Sequence, residues 1–415
     1  MVYTRQQLGY CSNVHPGEAL PDVLKNIETV VAAVKKQRGL PEMAMGLWLS
    51  AKAAAELRQS ESSFEHWKQV LRTTGIQLTS MNGFPAGDFH QRRVKELAYK
   101  PDWCEAARLK YSEDLAWVLA HSLPDATRHG TISTLPLGYA QNWTESDTKA
   151  AAEQLVKLAL FLATLEHLTG KHIQFCIEME PACVLERTEQ LVTFFNGPLA
   201  DACSANGHPT TLIRRYLGCC YDICHQAVMH EDVTASLEAI HRAGIAIGKV
   251  QVSSALIANK PNTEAGRAAL ADFAEPRYLH QVATQIKTEC GKQTQRIDDL
   301  ADLLEGKQQL DAEKPWRIHF HVPLQWQPEA VNGFTPLLDT TSGTISQLCE
   351  FLANHPEVSP HIEVETYTWQ VLPTSERPNN DRALVEGICS ELAWLESLFA
   401  EHQLLEESNQ TEEAS

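Results

Sequence analysis

The sequence predicts an α/β protein, a (β/α)8 barrel carrying an insertion ahead of its last strand. Three observations lead there. Short apolar runs of strand length alternate, along nearly the whole chain, with longer segments whose apolar residues recur every three to four positions. Repeated strand–helix alternation requires a parallel sheet, because parallel neighbours need crossover connections. The 415 residues suffice for eight such units with chain to spare. An open doubly wound sheet is the second reading of the same pattern.

The strand-like runs fall at residues 8–15, 44–49, 76–81, 131–135, 173–180, 217–224, 246–253, 317–322 and 362–366. The helices between them carry end signals. After the fourth run, Thr144 stands where an N-cap belongs, apolar residues recur to Leu168, and Gly170 closes the segment. Nine runs are one more than a barrel uses. The surplus run is assigned to the long segment 255–361, expected as an insertion over the C-terminal rim, since connections of that length in compact domains are functional or disordered. Residues 1–400 are expected to form one domain. Residues 401–415 are expected as an acidic disordered tail, because the terminal run from Glu406 offers no large apolar side chain for docking.

Composition narrows the function. Hydrophobic residues make up 43% and charged residues 21%, an ordinary globular balance. Lys and Arg number 35 against 53 Asp and Glu, a formal net charge of −18. So acidic a chain lacks the electrostatic footprint of a nucleic-acid binder, and no nucleic-acid partner is expected. The most apolar stretch, 150–168, carries Glu153, Lys157, Glu166 and His167, so it reads as an amphipathic helix and not as a membrane span. The N-terminal residues Met1 to Gln7 contain no apolar signal core, so a cytoplasmic location is expected. The eleven cysteines include no Cys-x-x-Cys pair and read as reduced thiols.

In a barrel, inward side chains alternate along each strand and functional groups sit at the strands' C-terminal ends. In run 173–180, Ile173, Phe175, Ile177 and Met179 share one face; Gln174, Cys176, Glu178 and Glu180 share the other. Inward acids are costly to bury unless they are paired or bind a cation. That singles out Glu180 and, one layer deeper, Glu178. The sixth run ends Tyr221-Asp222-Ile223-Cys224-His225, an oxygen and an imidazole ligand where a strand turns into a loop; a capping Asp with a hydrogen-bonded His is the structural alternative. The last run places His361, Glu363 and Glu365 inward, and the run 317–322 puts His319 and His321 on one face. At the same rim Asn13 and His15 end the first run, Asn82 ends the third, and His90 follows in a loop. Each group alone has a structural explanation. Inward acids or imidazoles on three or four strand ends together point to a divalent cation, Mn²⁺, Zn²⁺, Fe²⁺ or Mg²⁺.

These residues resemble the xylose isomerase-like TIM barrels, a superfamily of sugar isomerases and epimerases that also includes endonuclease IV. Its members carry a glutamate on the fifth strand, matched here by Glu180 or Glu178. An aspartate with a nearby histidine follows on the sixth, matched by Asp222 and His225. Glu365 matches the glutamate on the eighth. Four stretches are similar to the EboE metabolite-traffic family of bacterial ebo clusters: Tyr10-Cys11-Ser12-Asn13-Val14-His15-Pro16-Gly17, Asn82-Gly83-Phe84-Pro85, Arg317-Ile318-His319-Phe320-His321-Val322-Pro323 and Glu363-Val364-Glu365-Thr366-Tyr367-Thr368-Trp369. One position departs from the superfamily. The seventh run has Gln251 where a metal-binding histidine is expected, so either His321 or His280 fills the gap or the metal site is altered or lost; His321 is the favoured replacement, because it shares a strand end with His319.

The resemblance implies a metal-dependent enzyme of the sugar isomerase or epimerase type. It would act on a small hydroxylated metabolite, alongside other ebo-cluster proteins. Glu180, Asp222, His225, His321 and Glu365 would hold the metal, and Glu180 and Glu365 would also serve catalysis. Asn13, His15, Asn82, Glu178, Gln251, His280, His319 and Glu363 would meet the substrate. The alternative is a non-catalytic metabolite-binding module using the same pocket. A DNA repair nuclease is disfavoured by the charge and by Gln251.

Overall fold

The computed structural model describes residues 2–87, 89–289, 291–327 and 336–406. Eight parallel strands follow one another around a barrel: β1 (Gly9–Tyr10), β2 (Met43–Trp48), β3 (Ile76–Asn82), β4 (His129–Thr134), β5 (His172–Glu178), β6 (Leu217–Asp222), β7 (Ala246–Val252) and β13 (His361–Val364). The last strand pairs on one side with β7, Glu363 opposite Gln251, and on the other with β1, Glu363 opposite Gly9. Cys11 bridges Gly46 on β2, and the ring closes there. The open doubly wound sheet is therefore excluded.

The helices form where their end signals stand. The longest, Glu145–Thr169, opens with a capping box in which Thr144 and Asp147 satisfy each other's backbone N–H, and it stops at Gly170 with φ 67°. Most of its apolar residues, Leu155, Leu158, Ala159 and Leu162 among them, are buried, while Leu168 near its end faces solvent. No helix among the described residues is long and apolar enough to cross a membrane, and the described cysteines are free thiols.

The ninth run is not a barrel strand. It is β11 (Trp316–His321), the centre of a second, antiparallel sheet that also contains β8 (Ala255–Ala258), β9 (Val282–Thr288), β10 (Gly291–Ile297) and β12 (Leu338–Thr340) in the order β10-β9-β11-β8-β12. This sheet is the insertion before the last barrel strand. It is tied to the barrel where Val322 N–H donates to the Ser254 carbonyl (2.9 Å) and Arg317 Nη1 to the Ala227 carbonyl (2.6 Å).

Several boundaries differ from the sequence expectation. Only Gly9–Tyr10 of the first run form a strand, continued by the Cys11 bridge; Ser12–Val14 coil into a short 3-10 turn. The sixth strand stops at Asp222, whose side chain caps the helix Ile223–Val228 by accepting from His225 N–H. The C-terminal helix Asp381–Glu401 includes the first residue assigned to the tail. Leu404 is buried and Leu405 bridges Tyr3, while 407–415 lie outside the described residues.

The barrel interior below the rim is unusually polar. Lys249 and Glu363, both buried, form an ion pair of 3.0 Å. A Cβ on Gly46 would lie 1.9 Å from Glu363 Oε2, so glycine is required for β2 to pass that carboxylate.

Candidate functional site

At the C-terminal ends of the strands, β5, β6 and the segments after them meet β11 of the insertion and the chain following β13. Glu178, Glu180, Asp222, Cys224, His225, His319, His321 and Glu365 are all buried there. They form overlapping triads, each with ligand atoms within 4.8 Å of one another: Glu178, Asp222 and Glu365; Asp222, His225 and His321; Glu180, His225 and His319; Cys224, His319 and His321.

Each histidine is oriented by its Nδ1. His225 donates from Nδ1 to the Met179 carbonyl (2.8 Å), His319 to Gln281 Oε1 (2.6 Å) and His321 to the Glu365 carbonyl (2.6 Å). A proton on Nδ1, held by a carbonyl or amide oxygen, leaves the Nε2 lone pair available, as in histidines that ligate metals. Nε2 of His319 and of His321 are buried without a hydrogen-bond partner, as are Asp222 Oδ2 and Glu178 Oε2. Buried polar atoms are nearly always partnered, so unpartnered nitrogens and oxygens distributed through these overlapping triads fit a site that binds something. Two imidazole nitrogens and two carboxylate oxygens are a donor set that fits a borderline divalent cation.

The carboxylates are tuned apart. Burial raises Glu180 to about 7, against the His225 charge and the Tyr99 hydroxyl, which donates to its Oε1 over 2.8 Å. Burial and the neighbouring Asp222 raise Glu178 to about 8, while His225 opposes the shift. Glu365 is pushed well above the carboxylate range by burial and by Glu178 and Asp222. Asp222 is also desolvated, yet His225 and His321 hold it below its ordinary value. Acids crowded in a low dielectric cannot all ionise, so protons stay on some until a cation replaces them. The imidazoles follow the same field: burial pushes His321 down to about 4 and His319 well down, whereas the surrounding acids outweigh burial at His225 and raise it.

Asn13 Nδ2 and Asn82 Nδ2 both donate to Glu365 Oε1, at 2.8 and 3.0 Å, and so fix the carboxyl that ends the last strand. A cavity of about 60 Å³ opens onto Glu178, Glu180, His225, His319 and Glu365. That holds a few waters and is smaller than a typical metabolite pocket. Its outer wall is aromatic, with Phe84, Phe89, Tyr99, Tyr278 and Tyr367.

The remaining sequence candidates lie elsewhere. His15 turns away and bonds the Tyr10 hydroxyl (2.8 Å), because the chain coils after β1. His280 has both nitrogens engaged, Nδ1 by the His319 carbonyl and Nε2 by Glu275. Gln251 accepts from Cys220 Sγ (3.1 Å), and Glu363 is neutralised by Lys249; neither borders the cavity. His90 bonds the Asn13 carbonyl over 2.7 Å. His319, expected at the substrate, lines the cavity and also stands in two of the ligand triads. Cys224 and Tyr99 were missed. Cys224 follows Asp222 by two residues on the sixth run; Tyr99 ends a short 3-10 helix, Lys95–Tyr99, whose sequence carries no pattern.

No protein-family model matches the chain, and no curated protein matches its sequence. Among solved structures it is similar to a xylose isomerase domain protein from Planctomyces limnophilus (TM-score 0.49, 10% identity, covering 97% of this chain and 99% of that one). It is similar also to a xylose isomerase-like TIM barrel protein from Mycobacterium smegmatis in complex with magnesium (0.47, 11%, 95% and 99%). A third is the probable 3-DHS dehydratase AsbF from Bacillus anthracis (0.45, 11%, 95% and 98%).

Proposed function

We propose that this chain is a divalent-metal-dependent enzyme of the xylose isomerase-like kind, which moves a proton on a small hydroxylated metabolite. The observation that carries the reading is the set of overlapping triads of buried acids and imidazoles, on Glu178, Glu180, Asp222, His225, His319, His321 and Glu365, at the C-terminal mouth of a (β/α)8 barrel. Glu180, Asp222, His225, His321 and Glu365 are the ligand set proposed, with His319 and Glu178 lining the same site. The insertion strand β11 would then supply the imidazole that β7 lacks at Gln251. A bound cation would polarise a substrate carbonyl or hydroxyl.

The protein's own groups supply the rest. Glu180, fixed by the Tyr99 hydroxyl at the wall of the cavity, is the carboxylate placed to take or return a proton. Asn13 and Asn82 hold Glu365 in place. The aromatic wall narrows the cavity, and its small volume requires that wall to shift before a sugar-sized molecule enters. An EboE-like role in a secondary-metabolite pathway is the finer form of the same proposal, supported by the four sequence stretches.

The test is metal analysis of protein purified without chelator, followed by proton exchange from solvent deuterium into a panel of hydroxy-aldehydes, hydroxy-ketones and hydroxy-acids. Metal retention with exchange that Glu180→Gln abolishes is the expected result. Metal retention with tight ligand binding and no exchange would favour the non-catalytic metabolite carrier. Absence of metal would overturn both.

A further inference from the structure

A second cluster of ligating groups lies outside the barrel mouth. The helix Val233–Arg242 carries Glu238 and His241 one turn apart on one face. Opposite it, the helix Ile345–Asn354 ends and the chain turns through His355 to Glu357 on its way to β13. His241 Nε2 lies 3.4 Å from Glu357 Oε1, and His355 Nδ1 lies 3.2 Å from the same oxygen. The two imidazole rings are 4.9 Å apart. All three ligand atoms fall within 4.8 Å of one another.

The orientation of His355 is what distinguishes this cluster from a chance gathering of surface charges. Its Nε2 donates to Glu238 Oε1 over 2.7 Å. Its ring lies against Phe351, centroids 4.4 Å apart. The ring is held between two carboxylates, Glu238 on Nε2 and Glu357 on Nδ1 (3.2 Å); a cation entering here would take the place of the Nδ1 proton and keep Glu238 behind the other nitrogen, the arrangement seen around protein-bound zinc. The side chains of His355 and Glu238 are 19% and 33% exposed, so the orienting pair is partly shielded while Glu357, at 59%, faces water. Two imidazoles and one carboxylate with an open side suit a tetrahedral cation that keeps a water as fourth ligand.

We propose that His241, His355 and Glu357 form a second, peripheral site for Zn²⁺ or a similar borderline divalent cation, with Glu238 as the positioning residue behind His355. The site would clamp the helix after β6 to the turn that leads into β13. It is separate from the buried centre, sharing no residue with it, and it does not rest on the function proposed for that centre.

The experiment is equilibrium dialysis of the full chain against Zn²⁺, with metal counted per chain. The variants are His355→Ala, Glu357→Gln, Glu238→Gln and the double change His319→Ala with His321→Ala, which removes ligands of the buried centre only. His355→Ala and Glu357→Gln are expected to hold one zinc fewer than wild type. Glu238→Gln is expected to keep the site and weaken it about 10–100-fold. The double variant is expected to retain the peripheral zinc and to lose it once His355→Ala is added. An unchanged zinc count in both His355→Ala and Glu357→Gln overturns the proposal, as does a double variant that holds no zinc. Failure of the buried centre reads differently: wild type and the double variant would then bind the same single zinc. Glu357→Gln replaces an exposed side chain with its near-isostere, so a loss of zinc in it cannot be ascribed to misfolding.

Discussion

Asn13 shows how a single rim residue shapes the site without being a ligand in any triad. Its amide and that of Asn82 converge on Glu365 Oε1, while Asn13 Oδ1 is itself buried and unpartnered. Asn13→Ala should leave the fold intact and weaken divalent-metal affinity about 10–100-fold, as loss of second-shell support does. Glu365→Gln should weaken it further, because a neutral amide removes charge from the cation while keeping the shape. Gln251→Ala should leave affinity unchanged, since Gln251 bonds Cys220 and does not border the cavity. Calorimetric titration with Mn²⁺ and Zn²⁺ ranks the three; a loss in Gln251→Ala alone would return β7 to the ligand set. Glu178, Glu180 and Glu365 were legible in the sequence because strand alternation fixes which side chains point inward. His15 was misplaced for the converse reason: the chain leaves extended geometry after Cys11, and alternation says nothing about a 3-10 turn.

At the scale of elements, the opposite mouth of the barrel carries its own pattern. His129 opens β4, His172 opens β5 and His361 opens β13. Their rings stack, His129 on His172 at 5.2 Å and on His361 at 5.5 Å, while the Thr131 hydroxyl bonds His361 Nδ1 over 2.8 Å. Burial and the adjacent imidazole push His129 down to about 4 and His361 down to about 3. Folded values below the unfolded value of about 6.5 mean that the unfolded chain takes up protons first. The stabilising contribution is therefore full above about pH 6.5 and is lost as the pH falls through the folded values. Urea unfolding at about pH 7.5 and about pH 5 should differ by on the order of 1–2 kcal/mol less in His361→Gln than in wild type. Equal acid sensitivity in the two would mean the stack is solvated. The insertion sheet was only half legible at this scale. The alternation of His319 and His321 identified a strand, but an antiparallel strand and a barrel strand of six residues look alike in one dimension. Only the count of nine against eight marked it as extra.

The whole molecule is expected to unfold as one unit, because the barrel and the insertion share a continuous hydrophobic core. Leu256, Val282 and Ile318 of the insertion belong to the same buried cluster as Ile177 and Val250 of the barrel. A bound cation that links β11 to β5 and β6 should raise the melting temperature of both parts together. Chelator treatment should lower a single calorimetric transition, in which calorimetric and van't Hoff enthalpies agree. Two transitions, with only one sensitive to chelator, would show that the insertion folds independently. The net charge of −18 bears on the molecule as a whole and on no single site; it fits long-range attraction of cations and disfavours polyanions.

The position of β11 also sets a schedule. The groups at the barrel mouth are spread over residues 178–365, and two of the three histidines arrive on a strand outside the barrel. A chain emerging from the ribosome exposes Glu178, Glu180, Asp222 and His225 well before His319, His321 and Glu365 exist to meet them. Four ionisable groups must wait, solvated, at the open edge of an unfinished ring whose closure depends on two-residue β1 finding β13 across most of the sequence. The site can therefore be completed only once the final strand has docked, and cation uptake in a refolding experiment is expected not to precede that step.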